Sequence, residues 1–140
     1  MVIDERMWKI TQKHLQYTDD EMRTFQKNPR NEDILTQSST LRNKSLILEV
    51  IESHGCNSRH KVGDKFYFDG VGNLLTEQCP QKICAYSLNA ALMMIFAANE
   101  MIYAGVDPQE IRFKRASCFD VGLQCGGWGQ IVLELKVEDR

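Results

Sequence analysis

"ICAYSLNAALMMIFAANEMIYAGV", residues 83–106, is almost long enough to cross a bilayer, and its reading decides the fold. Asn89, Asn99 and Glu100 interrupt it, and each is expensive to place in hydrocarbon. The better reading is a helix buried in a water-surrounded protein or at a subunit interface. It should begin near Pro80–Ile83. It should end near "AGVDP", where Gly105 suits the left-handed residue after a helix and Pro108 prevents continuation.

The sequence on either side of this helix predicts strands. "SLILEVIES", residues 45–53, is dominated by apolar residues, as in a strand buried on much of its surface. "KVGDKFYF" follows, with turn chemistry at Gly63 and Asp64 and a strand in "KFYF". "DGVGN", 69–73, is another turn. Beyond the helix, "IRFKRASCF", 111–119, alternates apolar and basic residues and predicts a strand with one wet face. "CGGWG", 125–129, is a glycine turn, and "QIVLELKVED" alternates from Ile131 to Val137 as a closing strand. The expected fold class is α+β: a small antiparallel sheet of about four strands packed on one long apolar helix.

Residues 1–35 predict a helical N-terminal arm. Met7, Trp8, Ile10 and Leu15 fall at roughly helical spacing. "TDDEM" is a capping box, Thr18 with Glu21 three residues on, and that helix should run to about Lys27. Pro29 disfavours helical geometry at Asn28 and stops it, with a short helix expected around 31–36. "TQSSTLRNKS", 36–45, is polar and predicts a linker, leaving 46–140 as the α+β body.

Composition narrows the function. Of the 140 residues, 43% are hydrophobic and 26% charged, which is ordinary for a globular protein. A formal charge of -2 and the lack of a basic run with interleaved aromatics argue against nucleic acid and acidic membranes as partners. The opening "MVIDERMWKITQKHL" has no basic region followed by an apolar run, so a cytoplasmic location is expected. The five cysteines, an odd number, then argue against a disulfide framework. What remains is core thiols, metal ligands or a reactive thiolate.

"SHGCNSRHKVGDKF", 53–66, places Cys56 and His60 three residues apart, so one loop can present both to one ion. Cys84 stands at the predicted start of the long helix, where unpaired amides and the helix dipole favour a thiolate. Cys118 stands at the end of a predicted strand, so one loop pair, one helix start and one strand end are expected to converge at one end of the sheet. Cys56, His60, Cys84 and Cys118 would form a tetrahedral Cys3His set for zinc, or serve iron or an iron–sulfur cluster. Four residues separate Cys79 from Cys84 and six separate Cys118 from Cys125, so there is no paired CxxC signature. The competing reading keeps Cys84 and Cys118 as core thiols and Cys56 and His60 as loop residues.

Residues 46–137 resemble a family of short prokaryotic proteins, mostly conserved hypotheticals. The resemblance rests on "VIESHGC" (50–56), "HKVGD" (60–64), "IC" (83–84), "CFD" (118–120) and "IVLELKV" (131–137). It implies the fold and picks out Cys56, His60, Cys84 and Cys118 as the ligand set, leaving Cys79 and Cys125 outside. It implies no reaction. The occurrence of the family suggests a partner among larger metabolic enzymes of anaerobic organisms.

Several other residues carry competing readings. Cys56 or Cys84 with His54 or His60 would make a nucleophile pair, but no orienting acid or oxyanion hole is identifiable in the sequence. Asp120, beside Cys118, would either accept from a ligating imidazole or cap a turn. "CGGWG" lacks the lysine of a phosphate loop and precedes a strand, so a tight turn is expected, with Trp128 covering core or partner surface. Trp8, Met93, Met94, Phe96 and Met101 are expected to be core, and His14 to face solvent. Two function classes follow. One is a metal-binding accessory or structural subunit that joins a protein partner or a homo-oligomer, its arm wrapped on a neighbour. The other is a small stand-alone metal- or thiol-dependent enzyme or redox protein.

Overall fold

The apolar stretch forms α5, Ala85–Tyr103. Cys84 is its N-cap, in extended geometry. Its last turn closes as a Schellman motif: Gly105, at φ +73°, donates to the Ile102 carbonyl and Val106 donates to the Met101 carbonyl. This computed structural model describes residues 3–140, which fall into two compact units that divide between Thr40 and Leu41.

The first unit is helical. It contains α1 (Glu5–Leu15), α2 (Asp19–Gln26) and α3 (Pro29–Thr36). Asp4 caps α1 through the Arg6 amide. Both halves of the Thr18–Glu21 capping box on α2 are formed. Asn28 is held extended before Pro29, as the proline's ring demands. The same proline then opens α3 as its first residue, so it starts a helix as well as ending one. Phe25 packs edge-on against Trp8 and Tyr17, with ring centroids 6.3 and 5.8 Å away. Residues 36–45, where composition suggests a linker, contain the end of α3, the short helix α4 (Ser38–Arg42) and the start of β1.

The second unit carries β1 (Lys44–His54), β2 (Lys65–Asp69), α5, β3 (Arg115–Ser117) and β4 (Gln130–Asp139). The strands form one antiparallel sheet in the order β2-β1-β4-β3. Leu46, Leu48 and Val50 of β1 alternate onto one face with Phe66 of β2 and Leu133 of β4. Met94, Ile95, Ala98 and Ile102 of α5 cover that face. Each fully buried large apolar side chain there contributes about 1.5–3 kcal/mol. The α+β class, the four antiparallel strands and the long helix packed on them are therefore as the sequence predicts.

Two local expectations need correction. The predicted strand over 111–119 contracts to Arg115–Ser117. It is an edge strand paired only with β4, and Phe113 is exposed instead of facing the core. Of the residues assigned to core, Met94 is buried, but Met93 and Phe96 are exposed on the opposite side of α5. Trp128, expected to cover core or partner surface, is exposed. Among the described residues, no helix is long and apolar enough to cross a membrane.

Candidate functional site

Antiparallel pairing decides where the site lies. His54 at the end of β1 pairs with Gln130 at the start of β4, and Ser117 at the end of β3 pairs with Val132. The β1–β2 connection, 55–64, and the β3–β4 connection, 118–129, therefore emerge at the same end of the sheet. Phe119 donates its amide to the Tyr86 carbonyl at 3.1 Å, which ties the second connection to the first turn of α5. A cavity of about 610 Å³ opens between these three segments. Cys56, His60, Cys84 and Cys118 all line it.

Each of the four is held differently. His60 is 4 % exposed and packs edge-on to Phe66 at 5.1 Å. Its Nδ1 faces the Asp64 carboxylate at 3.8 Å, while its Nε2 is buried without a hydrogen-bond partner. An unpaired buried nitrogen is costly and uncommon, and invites a ligand. Asp64 is held in turn by the Lys61 amide at 3.0 Å. The acid that the sequence left unidentified beside an imidazole is thus the last residue of "HKVGD".

Cys84 makes no formal capping hydrogen bond to α5. Burial pushes its thiol pKa up, whereas the Ser58 hydroxyl and the Tyr86 and Ser87 amides pull it down. The net result lies below an ordinary thiol, in keeping with a position at a helix N-terminus. The Cys118 Sγ accepts from the Ile131 amide at 3.4 Å and faces the Asp120 carbonyl at 3.8 Å. Cys56 is partly buried and packs against the core.

Asp120 does not touch an imidazole. Its carboxylate accepts from the amides of Gly122, Trp128 and Gly129 and folds the 118–129 connection around itself. Those bonds hold its pKa below the usual carboxylate range. The glycines of "CGGWG" make this possible. A Cβ on Gly127 would lie 2.1 Å from the Asp120 Oδ1, and one on Gly129 would lie 2.0 Å from the Gly55 carbonyl oxygen. The second approach packs the two connections together beside Cys56.

Comparison with known proteins returns no match: no family model, no curated protein and no solved structure corresponds to this chain. The four residues share a cavity without closing on one point. Among the described residues, no three His, Cys, Asp or Glu side chains form a group ready to hold a metal ion.

The remaining candidates lie elsewhere. The Cys79 Sγ accepts from the Tyr67 amide at 3.3 Å and faces the Leu75 carbonyl at 3.2 Å, serving the β2 turn. Cys125 is exposed and does not line the cavity. His54 is exposed on a separate shallow depression, and His14 is exposed on α1. Residue-by-residue reading missed Ser58, Ser87 and two aromatic walls of the cavity, Tyr86 and Phe119; Trp128, singled out as a surface cover, is a third wall. Ser87 had a signal, standing three residues after the N-cap, where its hydroxyl donates back to the Cys84 carbonyl at 2.7 Å. Ser58 had none, because its partner is distant in sequence.

Proposed function

We propose that the cavity is a metal centre ligated by Cys56, His60, Cys84 and Cys118, in a small accessory or structural subunit of a larger assembly. One observation carries the reading. Three thiols and an imidazole from three separate segments line one space, and the imidazole's Nε2 is buried without a partner. Asp64 beside Nδ1 orients the ring as a carboxylate does behind many ligating histidines. Three sulfurs and one nitrogen suit zinc in a closed tetrahedron; iron or an iron–sulfur cluster is the alternative. A metal held by these residues would tie the 55–64 and 118–129 connections to the start of α5 and add its binding energy to the fold. The resemblance of residues 46–137 supports the same ligand set and suggests a metabolic enzyme of anaerobic organisms as the partner.

Elemental analysis and a visible spectrum of anaerobically purified full-length chain test the reading. Stoichiometric zinc in a colourless sample, or iron with sulfide in a brown one, supports it. A folded chain without metal that takes up neither zinc nor iron overturns it.

A second reading is favoured by the thiol of Cys84. It is activated below an ordinary thiol in the same cavity as a carboxylate-faced His60, an arrangement that suits a thiol-dependent enzyme or redox protein. A metal-free chain whose Cys84 alone is alkylated rapidly near neutral pH would favour this reading over the first.

A further inference from the structure

α5 is apolar on two sides, and one of them meets the sheet. Ala91, Met94, Ala98 and Ile102 turn toward the sheet. Tyr86, Met93 and Phe96 recur at helical spacing on the opposite side, with Leu92 beside them. Phe119 extends this stripe by packing on Tyr86, their ring centroids 6.1 Å apart. These five side chains are 59–73 % exposed. No charged residue occurs from Ala85 to Asn99, and the exposed Glu100, four residues past Phe96 on the same side, ends the stripe.

We propose that this face is the contact between two copies of the chain, related by a two-fold axis. A two-fold interface must be complementary to itself. Between Tyr86 and Phe96 the stripe is uncharged, and antiparallel pairing about the two-fold axis keeps the two Glu100 carboxylates at opposite ends, so the copies meet without like-charge repulsion. Asn89, exposed within the stripe, carries both a donor and an acceptor and can pair with an identical amide. The area is sufficient. At about 200 Å² per large side chain, the five exposed residues present roughly 650 Å² per copy, or about 1,300 Å² for the pair. That clears the roughly 1,000 Å² expected of a specific interface. Tyr86 also lines the thiol cavity, so pairing places the second copy beside its mouth. The inference does not depend on the metal reading.

Light scattering coupled to size exclusion tests it on the full-length chain, loaded from about 1 to 100 μM, because dimer populations depend on concentration. Wild type is expected at twice the chain mass at the upper end. Met93→Glu and Phe96→Glu should each raise the dissociation constant at least tenfold, with the far-UV spectrum and thermal unfolding of the monomer unchanged, since neither side chain is in the core. Val71→Glu, an exposed apolar position in the β2 turn, should leave the dimer intact. A wild-type chain that is monomeric throughout overturns the proposal. So does a dimer indifferent to both glutamates.

Discussion

Replacing His60 by leucine separates a ligand from a structural core residue, because the two roles give opposite signs. In the metal-free protein the buried Nε2 has no partner, a cost of roughly 1–3 kcal/mol that leucine removes. Leucine gives up the edge-on contact with Phe66, worth about 0.5–1.5 kcal/mol. The expected net change runs from a loss of about 0.5 to a gain of about 2.5 kcal/mol, centred on a gain of about 1 kcal/mol. In the metal-bound protein the sign reverses. Wild type gains about 2.7 kcal/mol at a hundredfold excess of free metal over its dissociation constant, and a variant lacking one ligand forfeits most of that gain. Urea denaturation of the full chain, with chelator and then with zinc, measures both arms. His60→Leu should therefore be the more stable protein in chelator and the less stable one in zinc. A loss above about 2 kcal/mol in chelator would show that His60 is a satisfied structural group, contrary to this reasoning. An undiminished zinc effect in the variant would exclude it as a ligand.

Three further outcomes are expected. Gly129→Ala drives a Cβ into the Gly55 carbonyl, so unfolding in urea should show a loss of about 1–3 kcal/mol together with weaker metal uptake, because the two connections must part. Alkylation of Cys84 should rise with pH through a midpoint below that of an ordinary thiol, because deprotonation is favoured in the folded state. Ser58→Ala, which deletes one of the donors that lower it, should move that midpoint upward, and an unmoved midpoint would refute the assignment. Thr18→Ala removes half of the capping box and should cost about 1 kcal/mol in the helical unit, seen as a reduced helical signal before the main thermal transition.

The sequence alone determined what depends on near neighbours. Strand alternation, the Thr18–Glu21 box, the Gly105 stop and the place of Cys84 at a helix start are set by residues within a turn or two of each other. Their signals survive in one dimension, and the four strands and the long helix follow from them. It also named the four cavity residues and the end-of-sheet convergence of a loop, a helix start and a strand end, but not the partners that hold each side chain there. Tertiary structure alone decided the rest. Pairing β1 with β4 put the 55–64 and 118–129 connections at one end of the sheet. That register brought Ser58 to Cys84, tucked Gly129 against Gly55 and left Nε2 of His60 unpaired. Helical spacing could not say which side of an all-apolar α5 would meet the sheet, so Met93 and Phe96 counted equally with Met94 until the packing placed Met94 inside and the other two outside. Periodicity shows that a face exists; only contact between distant segments decides what covers it.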